Sequence, residues 1–172
     1  LQVTDAELAE LKEVIFNPSV MPKRVNLAEG EDLVQTSASH FYVGVTQAEA
    51  EAFYEKMKAT GDQQHPVMWG MNSRLVKTAT GEIVEQKWTT TGLYGEALQK
   101  VVENLRLARP FADDEDQQKV IDLLISYYET GDLKTFDDYS VAWLANTEPI
   151  VDFVNGFTES YGDPLGMKST WE

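Results

Sequence analysis

A chain of 172 residues, 42% hydrophobic and 10% aromatic, is long enough to bury a core and too apolar to stay disordered. Its formal net charge of −15, from 29 acidic against 14 basic residues, argues against nucleic acid as a partner and favours cationic peptides, although a solvated acidic surface is the simpler reading. The absence of cysteine excludes disulfides and thiolate metal sites, and no apolar run approaches the ~20 residues of a membrane span.

The first residues, Leu1 to Thr4, carry neither an initiator Met nor a basic segment followed by an apolar one, so the sequence reads as a trimmed piece of a longer protein with no signal peptide of its own. Thr4 and Glu7 form a capping box. Leu8, Leu11, Val14 and Ile15 then mark one helical face, which Asn17-Pro18 ends. Residues 21–39 have little periodicity and read as a long connection. Thr46 and Glu49 form a second capping box and open a helix through Phe53, Tyr54 and Met57 that stops before Gly61.

Residues 66–78 and 82–89 read as two strands around a turn at Thr78 to Gly81. Gly92 breaks that pattern. A helix over 92–109 follows, with Ala97, Leu98, Val101, Val102, Leu105 and Ala108 at three- and four-residue spacing, ended by Pro110. Acids at Asp113 to Asp116 suit the start of the next helix, where its dipole favours them. That helix, over 114–130, runs through Ile121, Leu124, Ile125 and Tyr128 to Gly131 as C-cap. Thr135 is read as the cap of a short helix carrying Tyr139 and Trp143. A final strand follows Pro149. With no repeat and no linker, residues 1–172 read as a single α+β domain, helices packed on a small antiparallel or mixed sheet.

Most catalytic patterns are missing. His40 and His65 have no Glu or His partner at helical i+4 spacing, and the acids at 113–116 are consecutive rather than alternate, so neither a zincin motif nor an EF-hand loop is present. There is no G-x-S-x-G and no phosphate-cradling glycine loop. We expect no metal site within this chain. Trp69, Trp88 and Trp143 read as core, with Trp171 the exception.

One stretch remains. Val151 to Tyr161 alternates with period two, so a strand here places Val151, Phe153, Asn155, Phe157, Glu159 and Tyr161 on one face, with Glu159 and Tyr161 about 7 Å apart. A carboxylate there can hold an ammonium group, and a phenol can donate to a developing oxyanion. From spacing alone, an exposed strand end explains the pair as well. Asp163-Pro164-Leu165-Gly166 reads as a structural turn.

Asn155 to Glu172 reads NGFTESYGDPLGMKSTWE, with an E-x-Y-x-D-P pattern at Glu159, Tyr161, Asp163 and Pro164. This segment resembles the corresponding one in the dipeptidyl peptidase III family of zinc exopeptidases, most of all its bacterial members. The resemblance extends through Asn72 to Lys77, Gly92-Leu93-Tyr94 and Tyr127 to Asp137. It implies a two-lobed parent enzyme that cleaves the second peptide bond from a free N-terminus, with oligopeptides as substrates and zinc as cofactor. The family's H-E-x-x-G-H motif is absent from these residues. The resemblance therefore implies a piece of the lobe that does not carry zinc, inactive alone, with the rest of the parent polypeptide as its partner. By resemblance Glu159 binds the substrate's amino terminus, Tyr161 stabilises the transition state, and Glu172 is a further acid near the first subsites. The cytoplasm is the expected compartment, with the periplasm as the alternative. A competing reading is a non-enzymatic acidic module that binds peptides or proteins.

Overall fold

The structure is a computed structural model that describes residues 3–17, 19–20 and 23–172. Pro18, expected to end the first helix, and residues 21–22 of the expected connection lie outside the described residues.

Helices form where the local signals ask for them. α1 (Asp5–Phe16) and α2 (Gln47–Thr60) each begin at a complete capping box, at Thr4/Glu7 and Thr46/Glu49. α3 (Gly95–Ala108) leads through a short 3₁₀ turn at Arg109–Phe111 into α4 (Glu115–Thr130). Asp114 caps α4, accepting 2.8 Å from the Gln117 amide. Gly131 ends it with φ +64°, a conformation that glycine adopts without strain. α5 (Leu133–Ala145) starts at once.

The sheet joins β1 (Tyr42–Val43), β2 (Ser73–Lys77) and β3 (Ile83–Lys87) in the order β1-β2-β3, the first pair parallel and the second antiparallel. Gly81, at φ +84°, closes the hairpin turn. β4 (Phe157–Glu159) and β5 (Thr170–Trp171) form a separate antiparallel ribbon. The fold is α+β, as the pattern of elements indicates.

α4 is the central helix. It buries Val120, Ile121, Leu124, Ile125, Tyr127 and Tyr128, and packs against α3 on one side and α5 on the other. Trp88 is buried just beyond β3, its ring 4.8 Å from Phe157 and 5.9 Å from Phe41 between centroids. The Thr90 amide donates 2.9 Å to the Tyr128 carbonyl, which ties the end of the hairpin to α4.

Four local expectations need correction. α3 begins at Gly95 rather than Gly92, because Tyr94 takes a left-handed conformation (φ 66°) that precedes regular helix. The cap of α5 is Asp132, not Thr135: the Asp132 carboxylate accepts from both the amide (2.8 Å) and the hydroxyl (2.7 Å) of Thr135. The apolar face of α1 buries nothing among the described residues, and Leu8, Leu11, Val14 and Ile15 are all exposed. The strand expected over 151–161 is confined to Phe157–Glu159. The preceding residues spend their polar groups on helices instead. The Val151 carbonyl accepts 2.7 Å from Gln117, the Ile150 amide donates 2.6 Å to Asp113, the Asp152 carboxylate accepts 2.9 Å from Trp143, and the Asn155 side chain accepts from the Tyr128 hydroxyl. Among the described residues no strand lies alongside 151–155.

Leu124 is fully buried on α4, the helix that packs against both α3 and α5. Leu124→Ala removes its contacts and leaves a cavity, so equilibrium urea unfolding should show a loss of roughly 2–5 kcal/mol. A loss below about 0.5 kcal/mol would mean that the helix pair is not a packed interface.

Candidate active site

Glu159 ends β4, and Glu172 follows β5. Across an antiparallel ladder, paired residues point to the same face, and neighbours along a strand to opposite faces. Phe157 pairs with Trp171 and Glu159 with Thr170, so a bulge lies between them. Gly156 and Glu172 then exchange backbone hydrogen bonds at 3.0 and 2.8 Å. Thr170 and Glu172 share one face, and Glu159 joins them because it pairs with Thr170. Phe157 and Trp171 alternate with them and line an apolar cavity of about 380 Å³ with His40, Trp88, Tyr94 and Leu98, to which Thr170 also contributes. A regular strand would have kept Glu159 with Phe157. The bulge is what turns it towards Glu172.

The two carboxyls meet. Their hydrogen bond holds the Glu159 carboxyl above the usual glutamate range, with burial and repulsion from Glu172 adding to the effect. Two neighbouring carboxylates favour a cation between them when ionised.

Tyr161 is not on the strand face expected for it. It sits in the turn Ser160 to Asp163, closed by the Asp163 amide donating 3.0 Å to the Ser160 carbonyl. Its side chain is 70% exposed, and its hydroxyl bonds to no described residue. An exposed, unengaged phenol is available as a hydrogen-bond donor. Gly162 follows, where an added Cβ would meet the Arg24 guanidinium at 3.4 Å.

Asp163, read from the sequence as part of a structural turn, and Lys168, which that reading passed over, hold this region in place. Asp163 is buried, and its carboxylate accepts from the Tyr42 hydroxyl (3.0 Å) and from the amides of Met167 and Lys168 (2.8 Å each). Lys168 is fully buried. Its ammonium donates to the Tyr54 hydroxyl, the Gly70 carbonyl (3.1 Å) and Ser73 Oγ (3.2 Å), and lies 4.7 Å from the Tyr54 ring centroid. Tyr54 and Ser73 in turn donate to the Glu85 carboxylate at 3.0 and 2.7 Å. Burial pushes the Lys168 amine down to about 8, and the charges of Glu85 and Asp163 work against that fall. Burial also raises the phenols of Tyr42 and Tyr54, which therefore stay protonated and able to donate. The turn chemistry of Asp163-Pro164-Leu165-Gly166 is the signal that marked Asp163 as structural. Nothing in the sequence marks Lys168.

His40 packs against Phe41 (4.5 Å between ring centroids), while His65 bonds to Asp62 at 3.1 Å. Among the described residues no group of three or more His, Cys, Asp or Glu side chains is placed to hold a metal ion.

Residues 3–172 match the model described as peptidase family M49. Over 83 residues, 48% of this chain, identity is 36% with dipeptidyl peptidase 3 of Nematostella vectensis, of which the match covers 11%. Over 81 residues, 47% of this chain, it is 36% with dipeptidyl peptidase 3 of Dictyostelium discoideum, of which 12% is covered. The human dipeptidyl peptidase 3 is 35% identical over 83 residues, 48% of this chain and 11% of that protein. The structure of dipeptidyl-peptidase III from Corallococcus sp. strain EGB superposes on 77% of this chain and 23% of that one, with a TM-score of 0.55 and 21% identity, a likeness of fold.

The carboxyl pair makes a prediction about pH. A raised folded-state value means that the native protein holds the Glu159 proton where the unfolded chain has released it. The stabilising contribution is therefore complete below the ordinary glutamate value and is lost as pH rises through the raised one. Glu172→Gln should bring the Glu159 midpoint down, read by carboxyl-carbon NMR titration. An unchanged midpoint would show that the two groups do not interact.

Proposed function

The chain belongs to peptidase family M49, and on that footing we propose that it is the part of a dipeptidyl peptidase that grips the free amino terminus of its peptide substrate. The matches cover 11–12% of the curated relatives and 23% of the solved structure, so the activity assigned here is that of the intact enzyme. The observation that carries the reading is the Glu159–Glu172 pair on one face of the ribbon, with an exposed phenol in the adjoining turn.

In this reading the substrate's ammonium group is held by the two carboxylates. That contact measures the distance from the N-terminus and so selects the bond to be cut. Tyr161 donates its hydroxyl to the oxygen on which charge develops, a contact that strengthens in the transition state. Residues 1–172 act as one domain of the substrate-binding lobe, inactive without the rest of the polypeptide. Zinc, the cofactor implied by the family, finds no ligand set among the described residues, and we assign its site to the rest of the parent enzyme. No described helix is long and apolar enough to cross a membrane, and we keep the cytoplasm as the proposed compartment. The alternative of a binding module without catalysis gains nothing from the family match.

In the intact, folded and metal-loaded enzyme, Tyr161→Phe should lower kcat by about 10²- to 10³-fold and change KM little, the usual effect of deleting an oxyanion donor. Glu159→Gln should instead weaken binding and narrow the preference for free over N-acetylated peptides. A normal kcat in Tyr161→Phe would refute the transition-state role.

A further inference from the structure

Glu159 ends one strand of a ribbon of five strand residues, Phe157–Glu159 and Thr170–Trp171; Tyr161 lies in the ten-residue loop over 160–169 that joins them, and Glu172 directly follows the second strand. So short a ribbon, opened further by a bulge, does not fix its own register. Two buried charges in the loop do it from outside. Asp163 closes the turn that contains Tyr161 and gathers the amides of Met167 and Lys168 onto one oxygen, which also takes the Tyr42 hydroxyl of β1. Lys168 then anchors the loop's far end to α2 through Tyr54 and to β2 through Ser73, and the Ser169 amide donates 2.9 Å to the Met71 carbonyl. Only Thr170 and Trp171 separate this anchor from Glu172.

We propose that Asp163 and Lys168 are positioning residues, Asp163 fixing where Tyr161 stands and Lys168 fixing where Glu172 stands relative to Glu159. The inference rests on the substrate-binding role proposed above for those three residues. Asp163 and Lys168 are buried and touch no substrate; they act through the loop. Their effects should therefore fall on different kinetic parameters. A displaced phenol weakens the transition state, whereas a displaced Glu172 weakens the hold on the ammonium group.

The test is a set of double-mutant cycles in the intact enzyme, with kinetics normalised to folded protein. Asp163→Asn keeps the shape of the side chain and should lower kcat at least tenfold with KM changed less than about threefold. In a Tyr161→Phe background the same substitution should cost less than about threefold, because the phenol it positions is already gone. Lys168→Met should raise KM for free-amino peptides at least tenfold and leave N-acetylated peptides nearly unaffected. Should Asp163→Asn fail to fold, Tyr42→Phe removes one donor to the same carboxylate and should show the same coupling to Tyr161→Phe in weaker form. A residue with a merely structural role would lose activity additively in both backgrounds and on both substrates, and that result overturns the inference alone. A silent Tyr161→Phe overturns the substrate-binding reading, and this inference with it.

Discussion

A single buried ammonium group sets the geometry of the functional end of this protein. Taking Lys168 out of water costs several kcal/mol in any protein interior unless its charge is matched. Here the match is directional. The ammonium donates to Tyr54 and Ser73, and both hydroxyls pass on to the Glu85 carboxylate, so every proton has a place and the charge is neutralised through neutral intermediates. The arrangement needs α2, β2, β3 and the loop before β5 at once. The main-chain carbonyl of Gly70 completes it, at a position where φ is +89° and the Tyr54 ring leaves no room for a Cβ. A network of this kind admits one solution, which is what a loop with little apolar surface requires in order to hold one shape.

That constraint reaches the surface through very few residues. Lys168 and Ser169 are fixed, Thr170 and Trp171 pair with β4, and Glu172 follows. Trp171 donates 2.9 Å to the Tyr128 hydroxyl, which donates to Asn155, so the ribbon is also fastened to α4 from beneath. The β-bulge then decides which side chains face outward together. Its effect is a local rotation that separates an apolar face, Phe157 with Trp171, from an acidic one, Glu159 with Glu172. A two-stranded ribbon alone is marginal in water. This one is tied to α2 through Lys168 and to α4 through Trp171.

Much of the architecture was legible because its determinants are local. Thr4, Thr46 and Asp114 each satisfy an amide three residues on, and Gly131 ends a helix through its own φ, so spacing along the chain contained those boundaries. Leu98, Val102, Ile121 and Leu124 were marked as core by their helical period and are buried. The cap of α5 was misplaced because Thr135 and Asp132 are both capping residues, and the choice depends on where the preceding helix ends.

The sequence by itself determined the order of the helices and the central hairpin, the α+β class, the acidic character of the chain and, through the resemblance carried by Glu159, Tyr161 and Asp163, the family; the short strands β1 and β5 had no signal in it. Tertiary structure alone decided which of those residues meet. The period-two pattern over 151–161 found a partner strand only at Phe157–Glu159, while Gln117, Asp113, Trp143 and Tyr128 take up polar groups of residues 150–155. The meeting of Glu159 with Glu172 depends on a register shift, and the burial of Lys168 depends on hydroxyls and a carboxylate from 83 to 114 residues away in the chain. Both are matters of long-range pairing, where the free energy of each contact depends on groups that no local window of sequence contains.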